Sequence, residues 1–238
     1  MIGLGTAINI GLIIAGSLCG LAFGRFMKEN LKQTLMMVSG IIVLLLGMSG
    51  AMQYMLVIVN GTLQTTGPML MIISMVSGAV IGELIDLNRW ITVFGDWVKA
   101  KTGNTGDPQF THAFITASLT FTVGAMGVLG SIQDGLTGNY QTLLLKGILD
   151  GIIVMVMVSS MGKGALFSFI PVGITQWIIT AMAHIAAPLM TPSAIDNLSY
   201  VGSILIFCVG IDLIWPGKIR IANLLPAIFV AMELTFLL

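Results

Sequence analysis

The chain has 238 residues, 56% of them hydrophobic and 8% charged, with ten basic and ten acidic side chains in balance. A soluble domain carries about 25% charged residues, so this composition excludes a water-facing globular surface, and the neutral, scattered charge excludes a basic face for nucleic acid. The apolar residues fall in blocks of roughly 20, the length a helix needs to cross a hydrocarbon core of about 30 Å. The lipid bilayer is therefore the first partner the sequence implies.

The first block, at 4–23, opens on MIGLG with no basic residue and meets Arg25 and Lys28 only at its far end. It reads as a first span and not as a cleaved signal peptide. Further blocks at 35–57, 68–86, 113–132, 142–161, 166–188, 198–215 and 221–238 predict an all-α, polytopic transmembrane helix bundle of about eight spans, forming one domain over 1–238. Cys19 and Cys208 each lie inside a block, where a small polarizable side chain packs and no disulfide is implied.

Basic residues collect in short cytoplasmic loops. With both termini outside, the inner segments hold Arg25, Lys28, Lys32, Arg89, Lys99, Lys101, Lys163, Lys218 and Arg220, and only Lys146 of the ten is left over. A missed or invented span would scramble that alternation, so the charge pattern supports the count. The inner segment 87–112 is longer than the others. Trp90, Val93, Phe94 and Trp97 fall at helical spacing there, apart from Arg89, Asp96, Lys99 and Lys101, which predicts an amphipathic helix in the cytoplasmic interface followed by the polar linker KTGNTGDPQ.

Leu35, Val38, Ile41 and Gly47 match Leu198, Val201, Ile204 and Gly210 at one constant offset, and Glu83-Leu84 echoes Glu233-Leu234. The second and seventh spans run in opposite directions, so this is a candidate inverted repeat, a feature of secondary transporters. The first and sixth spans align poorly.

Ionisable groups inside a bilayer are costly, face the bundle and mark candidate sites. The richest stretch is 124–151, where Gly124, Gly127, Gly130, Gly135 and Gly138 weaken the helix around Ser131, Gln133 and Asp134. Lys146 and Asp150 follow four residues apart, on one helix face. Ser131, Gln133, Asp134, Lys146 and Asp150 are therefore the expected solute or ion pathway, entered from outside; the alternative is an ion pair that only fixes the hairpin. Secondary candidates are Asn9, Gln176 and Asn223 in or near spans, and Glu83 and Asp212 near cytoplasmic ends. Pro171 and Pro226 are expected to interrupt the sixth and eighth spans, each freeing a carbonyl.

The seventeen methionines have no Cys or His neighbours at ligand spacing, and His112 and His184 are isolated, so no metal or other cofactor is expected. No Ser-His arrangement, phosphate loop or dinucleotide fingerprint is present, and Asp150 and Asp212 are predicted near opposite membrane faces, so the chain does not read as an enzyme. Small residues at Gly16, Gly20 and Gly24 offer a face through which protomers of a homo-oligomer could pack.

The opening GTAINIGLIIAGSLCGLAFG, the segment VSGAVIGELIDL, the core VGAMGVLGSIQDGLTGNYQTLLLKGILDG and the ending RIANLLPA resemble the bacterial membrane proteins grouped as domain of unknown function 554, across essentially the whole chain. The resemblance implies a multi-pass protein of the bacterial plasma membrane and supplies neither substrate nor catalytic residues. The reading that results is a membrane transporter or channel for a small solute or ion. Its competitor is a non-transporting scaffold, assembly factor or sensor that docks a partner at 87–112.

Overall fold

The computed structural model describes all residues except 25, 124, 187–190 and 238, so Arg25 and Gly124 lie outside the described residues. Helices dominate: α1 (Leu4–Gly24), α2 (Glu29–Met55), α3 (Pro68–Ile85), α4 (Leu87–Lys101), α5 (Phe110–Thr122), α6 (Ala125–Thr137) and α7 (Gln141–Met161). A 3-10 helix at Lys163–Ser168 leads into α8 (Phe169–Ala181), followed by α9 (Ala183–Ala186) and α10 (Pro192–Ile214). A second 3-10 helix at Ile221–Leu224 leads into α11 (Pro226–Leu237). Six of the described helical segments are individually long and apolar enough to cross a membrane, and α5 with α6 adds a seventh if taken as one span bent by 60°.

The segment beyond α2 adds one short hairpin to the helical bundle. Leu56–Val59 and Thr62–Thr65 form an antiparallel pair, β1 and β2. Asn60 and Gly61 join them with φ of 53° and 77°. Two successive positive φ values suit Asn-Gly, whose twist matches that of the flanking strands.

The helices interleave along the chain. α1 packs on α7 and α2 on α10, so early and late segments share one bundle. Gly16, Gly20 and Gly24 make the first contact possible: a Cβ at Gly16 or Gly20 would strike the carbonyl of Gly151 or Met155, and one at Gly24 would meet Ser159 at 3.4 Å. This small-residue face is thus spent inside the chain and not between protomers; small residues license close approach without specifying the partner. Gly82 meets the Asn223 carbonyl in the same way, seating α3 on the turn before α11.

Ile13, Phe121, Val154, Val172, Val209 and Leu213 share the main apolar cluster, with a second around Leu70, Tyr200 and Ala227. Ile41 and Leu45 of α2 and Ile72 and Val76 of α3 are exposed, as lipid-facing side chains are.

One end of the bundle brings Gly138 next to the Met1 nitrogen and Gly3 next to the Trp177 indole. The other brings Gly164 against Phe110 and Gly24 against Ser159. The bent pair α5–α6 therefore runs from the Gly164 end to the Met1 end.

Pro171 and Pro226 lie where a 3-10 segment passes into an α-helix: Pro171 is the third residue of α8, within the helical segment Lys163–Ala181, and Pro226 the first of α11, within Ile221–Thr235. Proline lacks the amide hydrogen that a regular helix would use there, and the change of helix type falls just before each.

Candidate site at the break between α5 and α6

Lys146 and Asp150 lie on one face of α7 and form an ion pair, their side chains only 8% and 9% exposed. Burial of both charges is tolerable only because each compensates the other. The Asn9 amide of α1 faces the Asp150 carboxylate, and neither of its polar atoms has a hydrogen-bond partner of good geometry. Gly127, in the first turn of α6, lies against the Lys146 stem, with Gln176 of α8 just behind it. The Gln176 carbonyl oxygen is also buried and unpartnered.

A cavity of about 310 Å³ opens onto the pair. Its walls come from α2 (Val43, Gly50, Gln53, Tyr54), from both sides of the break (Thr120, Phe121, Met126, Gly127), and from Ser199 and Ser203 of α10. The break supplies this space. α5 ends at Thr122, and Val123 adopts an extended conformation (ψ 120°), so the chain turns before α6 begins. Non-helical backbone at such depth is tolerated only where it lines protein or water.

The expected pathway set divides in three. Lys146 and Asp150 line the cavity. Asp134 is fully buried in α6 but is engaged elsewhere: its Oδ2 accepts the Gly5 amide hydrogen at 3.0 Å, stabilising the start of α1. A carboxylate at a helix N-terminus meets both orphan amides and the positive end of the dipole. Ser131 is buried and donates to the Gly127 carbonyl at 2.7 Å, while its own carbonyl accepts from the Thr180 hydroxyl at 3.2 Å. Gln133 is exposed and accepts from the Thr142 hydroxyl at 2.7 Å, tying the α6–α7 hairpin from outside.

Of the secondary candidates, Asn9 and Gln176 join the cluster and three do not. Glu83 pairs with Arg220 at 3.2 Å near the surface. Asn223 accepts the Asn88 amide hydrogen at 2.6 Å and holds α4 to the turn before α11. Asp212 accepts the Gly217 amide hydrogen at 2.8 Å and lies 3.4 Å from His112, which the sequence presents as isolated. That pair borders a separate cavity of about 370 Å³, and a third of about 410 Å³ lies beside Gly24, Lys32 and Lys163.

Sequence reasoning missed Gln53, Tyr54, Ser199 and Ser203. The two serines are four apart in an apolar span, a signal of one polar face, but no local pattern tells which helix they oppose.

A helical bundle with lipid-facing apolar surfaces, a broken helix and a buried ion pair beside a cavity defines an integral membrane protein. The chain belongs to the family described as Protein of unknown function (DUF554), whose model matches residues 4–236. It is similar to the "Uncharacterized membrane protein YdfK" of Bacillus subtilis (strain 168), at 27% identity over 98% of this chain and 96% of the relative. It is also similar to the "Uncharacterized protein YqgA" of Escherichia coli (strain K12), at 24% identity with the same coverage. No solved structure matches.

Proposed function

We propose that this protein is a secondary transporter of the bacterial plasma membrane that binds a small solute or ion in the cavity beside Lys146 and Asp150. The supporting observation is the meeting of a helix break, a cavity of about 310 Å³ and a buried ion pair in one place. Such a break leaves backbone groups available to a ligand, and the pair offers either charge to one that displaces the other. Counting α5–α6 as one crossing and the short α11 as another gives eight, with both termini outside. Lys28, Lys32, Arg89, Lys99, Lys101, Lys163, Lys218 and Arg220 then fall on the cytoplasmic side.

Gly47 packs on Phe207 and Gly210 on Leu44, as the antiparallel run of α2 against α10 requires, so these contacts do not bear on the inverted repeat. The other matches differ in setting, for Val38 faces outward while Val201 is buried.

The test is flux into proteoliposomes across a panel of ions, amino acids and organic acids, with wild type, Asp150→Asn and Lys146→Gln. Uptake by wild type and its loss in both folded variants is expected; no flux of any panel member by wild type counts against transport. The scaffold reading draws on α4, where Trp90, Val93 and Trp97 are exposed. An interfacial anchor presents the same face to lipid, so this observation does not favour docking over anchoring.

A further inference from the structure

Buried polar atoms in proteins are nearly always hydrogen-bonded, and those that are not point to water or an ion held between them. Among the described residues, the unpartnered buried atoms concentrate along one face of α1. Thr6 Oγ1, both amide atoms of Asn9 and Ser17 Oγ lie on it, and all three residues are fully buried. At the outer end, Asp134 Oδ1 is also buried and unpartnered, while its Oδ2 holds the Gly5 amide next to Thr6. Leu143, fully buried, touches the same Gly5 and closes that corner. Midway, Asn9 faces Asp150. The face is interrupted once: Ile13, four residues from both Asn9 and Ser17, is fully buried and packs in the main apolar cluster.

We infer that this face holds a file of water that carries protons from the outer side, through Asp134, Thr6 and Asn9, to the Asp150 carboxylate, and that Ile13 is the seal preventing the file from reaching the cytoplasmic side. Protons pass along such a file by exchange between hydrogen-bonded waters, so nothing is oxidised and no bond other than O–H is made or broken. The titratable groups facing the file from the helices around it are Asp134, Asp150 and Lys146. Beyond the seal, Ser17 stands one turn from Gly20, whose carbonyl accepts the Ser159 hydroxyl at 3.0 Å, and Ser159 borders the cavity beside Lys163.

The spacing explains why one side chain is enough. At 1.5 Å per residue, Asn9, Ile13 and Ser17 stand on levels about 6 Å apart. One water bridges two oxygens about 4.5 Å apart, and two waters in series bridge a wider gap. A hydroxyl at position 13 would therefore join the two halves, whereas a smaller apolar side chain would leave a dry void. The inference rests on Lys146–Asp150 being the centre of the pathway but not on any solute being carried, since the file belongs to the bundle itself.

The test uses full-length protein in proteoliposomes containing pyranine, with an inside-negative potassium diffusion potential and no solute. Wild type is expected to be tight. Ile13→Ser is expected to acidify the interior at least about tenfold faster, Ile13→Ala to stay near wild type, and Ile13→Ser/Asn9→Leu to return to it. Equal leak from the Ala and Ser variants, or a leak that survives Asn9→Leu, would mean loosened packing and would overturn the inference; so would a tight, folded Ile13→Ser. Should Ile13→Ser fail to fold, Ile13→Thr carries the same expectation. Hydroxyl-radical footprinting of wild type gives a second reading without any variant. Leu143 is expected to be labelled and the equally buried Leu205 not; an unlabelled Leu143 overturns the file whatever the solute assays show.

Discussion

Replacing Lys146 with methionine removes one charge of a buried pair and keeps most of the length of the side chain. With both partners less than a tenth exposed, Asp150 would be left without its compensating cation. Breaking a buried pair from one side costs about 3–5 kcal/mol, whereas replacing both partners by apolar residues is often neutral or stabilising by about 1–4 kcal/mol. The expected result is that Lys146→Met and Asp150→Leu each lower stability by several kcal/mol and that the double variant recovers most of the loss. Fluorescence-detected thermal unfolding in detergent and reversible unfolding in mixed micelles measure the series. The reasoning fails if Lys146→Met costs under about 1 kcal/mol, or if the double variant is as unstable as the worse single one. The same series separates structure from function. A stable double variant without flux means the charges serve the solute, and one with full flux means they serve only the fold.

Three further outcomes follow from particular contacts. Gly20→Leu would drive a side chain into the Met155 backbone, whereas Gly11 has open space around it; overpacking costs about 1–3 kcal/mol or more, so thermal midpoints should fall for Gly20→Leu and stay unchanged for Gly11→Leu. In a background lacking Cys19 and Cys208, Gly61→Cys should react with an impermeant maleimide in intact cells and Gly103→Cys only after permeabilisation; the reverse pattern would invert the proposed orientation. Glu83→Gln breaks a pair whose side chains are 51% and 65% exposed. Exposed pairs contribute about 0–1 kcal/mol, so its unfolding should barely differ from wild type.

The spans were legible because lipid imposes a length and an apolar composition that a one-dimensional reading detects. Lys146 and Asp150 were legible for a related reason: four-residue spacing and the cost of charge in lipid are both local facts. Asp134 was visible as a buried acid but not as the partner of Gly5, because that contact joins residues 129 apart in the chain. Gly16, Gly20 and Gly24 announced close approach, yet the surface they approach is α7, which no local rule identifies. The turn at Asn60-Gly61 is a different case. Its dipeptide is a known hairpin signal, but residues 58–67 read from the sequence only as an outer connection between two spans.

The pairing of α1 with α7 also carries a cost in time. Asn9 meets Gly147 in the finished protein, but at about 5–20 residues per second a ribosome needs on the order of ten seconds between the two. Throughout that interval the nascent first helix is in the membrane with an amide and two hydroxyls that have no helix to cover them. Biogenesis must shelter this helix beside the insertion machinery until the seventh helix emerges, so a slowed or stalled translation between the two should expose α1 to quality-control proteases before any other part of the chain.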